Sequence, residues 1–174
     1  NWGRSKNEVK ALMELFVKAM QEETPKLIEN FVRVNFIGDI NRLEKAIINK
    51  IIKTKGLTND YEPKMNLNIA ISYGGRWDIV QAIKEISKDF SKKKIKEKNI
   101  NEDLLSSYLD TSNFPDPDLV IRTGNEKRLS NFLIWQAAYS ELIFLKKLWP
   151  DFKNTDFKKA LDEYKRRKRN FGLR

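Results

Sequence analysis

Three runs with strand-like patterning, Phe31–Ile37, Met65–Tyr73 and Asp118–Thr123, are separated by segments whose apolar residues recur at helical spacing. In the first, Val32, Val34 and Phe36 share one face and Gly38-Asp39 ends the run. Strands that alternate with helices must be joined by crossovers. The chain is therefore read as α/β, with a mainly parallel central sheet flanked by helices. No internal repeat or linker interrupts it, so residues 1–174 are read as a single domain.

The helical segments carry local signals of their own. Ser5 followed by Glu8 reads as a capping box, and Val9, Leu12, Met13, Leu15, Phe16 and Met20 form one broad apolar face after it. Pro25 is read as lying near a second helix start. A helix over Asn41–Lys53 turns Leu43, Ile47, Ile48 and Ile51 inward, and Gly56–Lys64 is a turn-rich connection. Gly74-Gly75 opens a helix over residues 76–90, a solvated basic link covers 91–99, and a short helix follows Asn101. Residues 131–145 read as part helix and, at Leu142–Leu145, strand. Asn154–Arg169 reads as an amphipathic helix whose basic end complements its dipole.

Composition narrows the chemistry. The chain has neither histidine nor cysteine. That excludes Ser-His-Asp triads, imidazole acid–base catalysis, His-ligated zinc and thiol chemistry, and leaves Mg²⁺ on carboxylate oxygen as the metal to expect. The lack of thiols fits a reducing, cytoplasmic setting. No apolar stretch approaches the roughly 20 residues of a membrane span, and residues 1–20 are charged throughout, unlike a secretory leader. The formal charge of +10 is matched by a Lys-, Asn- and Ile-rich composition. It is equally matched by an anionic partner: nucleic acid, a phosphorylated small molecule or an acidic membrane surface.

Two strand ends carry polar clusters, where open α/β sheets bind ligands. At Asp118–Phe132, Arg122, Lys127, Arg128 and Ser130 gather beyond the strand exit, with Gly124 and Asn125 able to turn backbone N–H groups inward as an anion nest. Arginine forks meet phosphate bidentately, so these parts suit a diphosphate. A surface loop with ordinary charges, in which Glu126 merely pairs with a neighbour, explains them as well. Glu141 interrupts an apolar stretch, as a partnered or metal-bound acid does, or as an exposed helix-end carboxylate does. Gly74-Gly75-Arg76 is a weak signal, equally a tight strand-to-helix turn. Asn1, Trp2 and Arg4 by themselves say almost nothing.

The stretch PDPDLVIRTGNEKRLSNFLIWQAAYSELIF resembles the signature of the cis-prenyltransferases, in particular their bacterial undecaprenyl diphosphate synthase branch. LNIAISYGGRWDIVQAI resembles the central strand–turn–helix of that family, NWGRSKNEVKALMELF the segment after its third strand, and LWPDF with the basic helix its end. The resemblance implies a Mg²⁺-dependent homodimer that condenses isopentenyl diphosphate onto farnesyl diphosphate with cis double bonds. The product is undecaprenyl diphosphate, the lipid carrier of cell-wall sugars. It implies that Arg122, Arg128 and Ser130 grip isopentenyl diphosphate, with Glu126 a loop acid near them and Glu141 the carboxylate associated with Mg²⁺. It implies that Asn1, Trp2 and Arg4 belong to an active-site segment, Asn1 assisting proton removal and Arg4 contacting diphosphate. Leu12, Leu15, Phe16 and Met20 would line a tunnel for the growing chain.

The departures are as specific. The family opens with a strand and an Asp-Gly-Asn-Gly-Arg-Trp loop that holds the allylic diphosphate and the principal metal-binding Asp, followed by a histidine. This sequence begins at Asn1, inside that pattern, and Gly74-Gly75-Arg76-Trp77 matches a different segment. Asn125 stands where the family usually has glycine, an exchange that a left-handed backbone tolerates. The domain is accordingly expected to be N-terminally incomplete, and the chain alone inactive in transfer. The alternative is a non-catalytic partner subunit or inactive fragment. The basic tail reads as a helix-end or membrane-surface patch at the inner face of the membrane, and nucleic acid is not expected as a partner.

Overall fold

The computed structural model describes residue 3 and residues 5–168; Asn1, Trp2, Arg4 and residues 169–174 lie outside the described residues. The chain divides into two compact units, Asn1–Tyr73 and Gly74–Arg174. Each contains one pair of parallel strands, β1 with β2 and β3 with β4, so the α/β reading holds.

In the first unit, helix α1 (Lys6–Glu29) begins at the capping box read from sequence. Ser5 Oγ accepts from the Glu8 N–H at 3.3 Å, and Glu8 Oε2 accepts from the Ser5 N–H at 3.1 Å. The helix does not restart near Pro25 but runs through it. Proline forfeits one backbone bond and strains its turn. Both costs fall near the helix end and are offset by packing on either side. Met20 sits in a core with Leu43, Ile47, Ile51 and Ile71, against which Met13, Phe16 and Val17 also pack. Buried Thr24 donates its hydroxyl to the Met20 carbonyl. The apolar stripe on α1 is wider than this core needs. Leu12 and Leu15 remain 40% and 62% exposed.

Strand β1 (Val32–Ile37) pairs with β2 (Met65–Ala70) in register from Val32↔Met65 to Ile37↔Ala70. Strand β2 stops short of Tyr73 because Ser72 takes a left-handed φ of 51°. Helix α2 (Lys45–Leu57) starts later than Asn41, since Ile40–Arg42 forms a 3₁₀ turn and Leu43 and Glu44 are extended. Leu43 still reaches the core, and α2 carries Gly56 inside the helix rather than in the connection. Thr58, which caps α2 and is 0% exposed, ties helix to strand. Its Oγ1 accepts from the Val34 N–H at 3.1 Å and donates to the Thr54 carbonyl at 3.0 Å.

In the second unit, α3 (Gly75–Ser91) and α4 (Glu102–Tyr108) precede β3 (Leu119–Arg122) and β4 (Glu141–Phe144), and α5 (Asn154–Arg166) follows. Asn101 caps α4, accepting from the Leu104 N–H at 2.9 Å. Residues 131–145 hold less helix than their composition suggests: only the 3₁₀ turn Gln136–Tyr139 forms before β4. Ser130, Asn131 and Leu133 have φ of 49°, 66° and 44°, which no right-handed helix accommodates. Helix α5 ends at Arg166, where Arg167 turns extended, instead of continuing to Arg169. No helix among the described residues is long and apolar enough to cross a membrane.

Two outcomes are expected. Thr58→Val keeps the shape but strands the buried Val34 N–H, and should lower stability by about 1–3 kcal/mol in chemical denaturation. Asp156 accepts from Lys147 Nζ at 2.9 Å through both oxygens and from the Lys153 N–H at 3.0 Å. Lys147 first, and the Lys153 amide second, hold its carboxyl below the usual carboxylate range. A depressed folded pKa contributes stability above the unfolded value and loses it as pH falls through the folded one. Asp156→Asn should therefore melt lower than the unsubstituted chain at neutral pH, with the gap closing below about pH 4.

Candidate functional site

Strand β3 delivers Arg122 to its carboxyl end, and the following loop folds back on it. Arg122 Nη1 donates to Ser130 Oγ at 3.0 Å and to the Arg128 carbonyl. Arg128 Nη2 stands 2.6 Å from Glu126 Oε2, with the arginine side chain 66% exposed. Arg122, at the end of β3, thus meets the Ser130 hydroxyl and the Arg128 backbone, while the exposed Arg128 guanidinium pairs with Glu126 on the same loop. Gly124 and Asn125 are left-handed, with φ of 89° and 63°, so Asn125 does what glycine would do there. The anion nest expected of these two residues is not formed. The Gly124 N–H donates to the Lys147 carbonyl at 2.7 Å and the Asn125 N–H to the Leu145 carbonyl at 3.0 Å. These two amides are therefore committed to the backbone, and a ligand at this loop would be met by side chains.

Glu141 lies elsewhere on the ladder. It is in register with Leu119, whereas Arg122 is in register with Phe144. That separates the Glu141 and Arg122 positions by three residues, about 10 Å along the strands. Glu141 Oε2 accepts from Arg167 Nη1 at 2.7 Å, and the same Nη1 donates to the Leu142 carbonyl at 3.1 Å. Glu141, followed by Glu163, raises the Arg167 pKa above its ordinary value. Among the described residues no group of three or more acidic side chains converges as a metal site. One carboxylate already bonded to a guanidinium does not by itself fit Mg²⁺, which takes its oxygens from one or two carboxylates together with substrate phosphates and water. Asn1, Trp2 and Arg4 lie outside the described residues.

The loop is seated by residues that sequence reasoning passed over. Asn131 accepts from the Gly75 N–H through its carbonyl at 2.7 Å and from the Arg76 N–H through Oδ1 at 2.9 Å. The paired glycines follow from this approach: a Cβ on Gly74 would lie 2.7 Å from Asn131 Nδ2, and one on Gly75 2.6 Å from Ile134 Cγ1. Asp78, 2% exposed, accepts from the Asp110 N–H at 2.9 Å and from Gln136 Nε2 at 3.2 Å. Gln136 Nε2 also donates to Thr111 Oγ1 at 2.8 Å. The available signal was an acid sharing the buried helical face of Ala82 and Ile86. Asp78→Ala should leave the Asp110 amide and the Gln136 side chain short of an acceptor. Each loss costs about 1–3 kcal/mol, seen as a lower denaturation midpoint.

The family model described as putative undecaprenyl diphosphate synthase matches residues 1–172. The isoprenyl transferase of Clostridium tetani is 46% identical over 172 residues, covering 99% of this chain and 67% of the relative. The (2E,6E)-farnesyl-diphosphate-specific ditrans,polycis-undecaprenyl-diphosphate synthase of Haemophilus influenzae is 43% identical, covering 99% and 72%. The chain thus spans about two thirds of the length of such relatives. Among solved structures, lavandulyl diphosphate synthase from Lavandula x intermedia, in complex with dimethylallyl diphosphate, superposes with a TM-score of 0.95 at 35% identity, covering 99% of this chain and 74% of that one. A probable undecaprenyl diphosphate synthase from Campylobacter jejuni gives 0.87 at 38% identity, covering 99% and 78%. With its parallel β3–β4 ladder and the arginine loop at its carboxyl end, this chain belongs to the undecaprenyl diphosphate synthase family of prenyltransferases.

Proposed function

We propose that this chain carries the isopentenyl diphosphate half of a cis-prenyltransferase that extends farnesyl diphosphate to undecaprenyl diphosphate. The observation that carries the reading is the convergence of Arg122, Arg128 and Ser130 at the end of β3. It is joined by the farnesyl diphosphate specificity of relatives such as the Haemophilus influenzae enzyme. Two planar guanidinium forks and a hydroxyl match the oxygens of a terminal diphosphate, and their charge holds it while the isopentenyl double bond attacks C1 of the allylic partner. Positioning two substrates is the main contribution such a site makes.

Arg122 is already oriented by Ser130, so little side-chain freedom remains to be lost on binding. Glu126 occupies the Arg128 fork in the free loop, and an incoming diphosphate exchanges with it. Glu141 is the carboxylate that would hold Mg²⁺, together with oxygens of a bound diphosphate. The cation would supply charge neutralisation to diphosphate. Asn1, Trp2 and Arg4 are proposed to complete the site, Asn1 assisting proton removal and Arg4 touching diphosphate. The exposed Leu12 and Leu15 support a role for α1 in holding the prenyl chain. A cytoplasmic homodimer is the proposed assembly, peripheral to the inner face of the membrane. Exposed Val80, Ile83, Phe90 and Ile100 support a covered apolar face.

Arg122→Ala and Arg128→Ala should each raise the KM for isopentenyl diphosphate, removing a charge-assisted contact of about 1.5–3 kcal/mol. The measurements are incorporation of labelled isopentenyl diphosphate and its equilibrium binding. Unchanged values for both variants would overturn the assignment.

A further inference from the structure

We propose that Asn131 is a positioning residue of the diphosphate loop, clamping it to the first turn of α3 so that Ser130 and Arg122 stay aligned; this rests on the function proposed above. Ser130 and Asn131 are consecutive and both left-handed, at φ of 49° and 66°. Ser130 turns its hydroxyl to Arg122 Nη1. Asn131, one residue on, spends its carbonyl and its side-chain oxygen on two adjacent amides of α3, those of Gly75 and Arg76. These amides open the helix and have no partner within it, so the clamp satisfies two donors at once.

An asparagine is well suited to the position. It tolerates the left-handed backbone and carries an acceptor of the length that helix-capping requires. The fit is close from the helix side too, because a Cβ on Gly74 would press on Asn131 Nδ2 at 2.7 Å. Loss of the side-chain bond leaves the loop held at Asn131 by its carbonyl alone, one bond to α3 instead of two, and removes no side chain proposed to contact phosphate. The Ser130 hydroxyl is then less firmly fixed for holding Arg122.

The test is equilibrium binding of isopentenyl diphosphate, with inorganic diphosphate as a second probe. Asn131→Gly keeps the backbone conformation accessible and removes only the acceptor. Gly74→Ala displaces the same amide from α3 and carries the test should the first variant fold poorly. Each should raise the Kd roughly three- to tenfold. In an Arg122→Ala/Ser130→Ala background, Asn131→Gly should have little further effect, since the groups it aligns are gone. A purely structural role elsewhere would add its full penalty in that background. Such additivity, or binding by both single variants equal to that of the unsubstituted protein, overturns the proposal. If Arg122→Ala itself binds like the unsubstituted protein, the diphosphate assignment fails first, and the clamp has nothing to position.

Discussion

A carboxylate almost wholly removed from water, that of Asp78, fixes the geometry on which the second unit depends. A carboxyl group at 2% exposure persists only if its oxygens are bonded. The Asp110 amide and the Gln136 side chain satisfy that requirement. Those two bonds hold α3 against the segment before β3 and against the turn before β4. With α3 so placed, its first two amides meet Asn131, and the loop bearing Ser130 and Arg128 is seated.

The result is a basic loop whose parts are bonded before any ligand arrives. Arg122 lies against Ser130 and the Arg128 carbonyl, and Arg128 against Glu126. Exposed ion pairs such as Arg128–Glu126 contribute little to stability, on the order of 0–1 kcal/mol. They exchange readily, which suits the phosphate contact proposed for this fork. The Glu141–Arg167 pair is less exposed and carries a second acceptor, the Leu142 carbonyl, on the same nitrogen. It is the firmer of the two.

Much of this was legible in the residues, and what escaped did so for physical reasons. Capping at Ser5 and Asn101 is local chemistry and reads directly from spacing. Parallel pairing follows from the alternation of strands and helices. The continuation of α1 through Pro25 did not read, because long-range packing of Met20 and Thr24 overrode a local signal. The shortage of helix after Ser130 stayed hidden because its cause is a run of left-handed residues, including a leucine, that composition does not announce. The candidate site side chains were proposed from charge and resemblance. Their scaffold was not, since Asp78 and Asn131 act through partners far along the chain.

The amides of Gly124 and Asn125, committed to the Lys147 and Leu145 carbonyls, separate the loop's framework from its recognition chemistry. A backbone nest would bind phosphate with atoms that no codon can change. Here the framework is backbone and the ligand contacts proposed for the loop are side chains. On that reading, single substitutions could change recognition without refolding the loop.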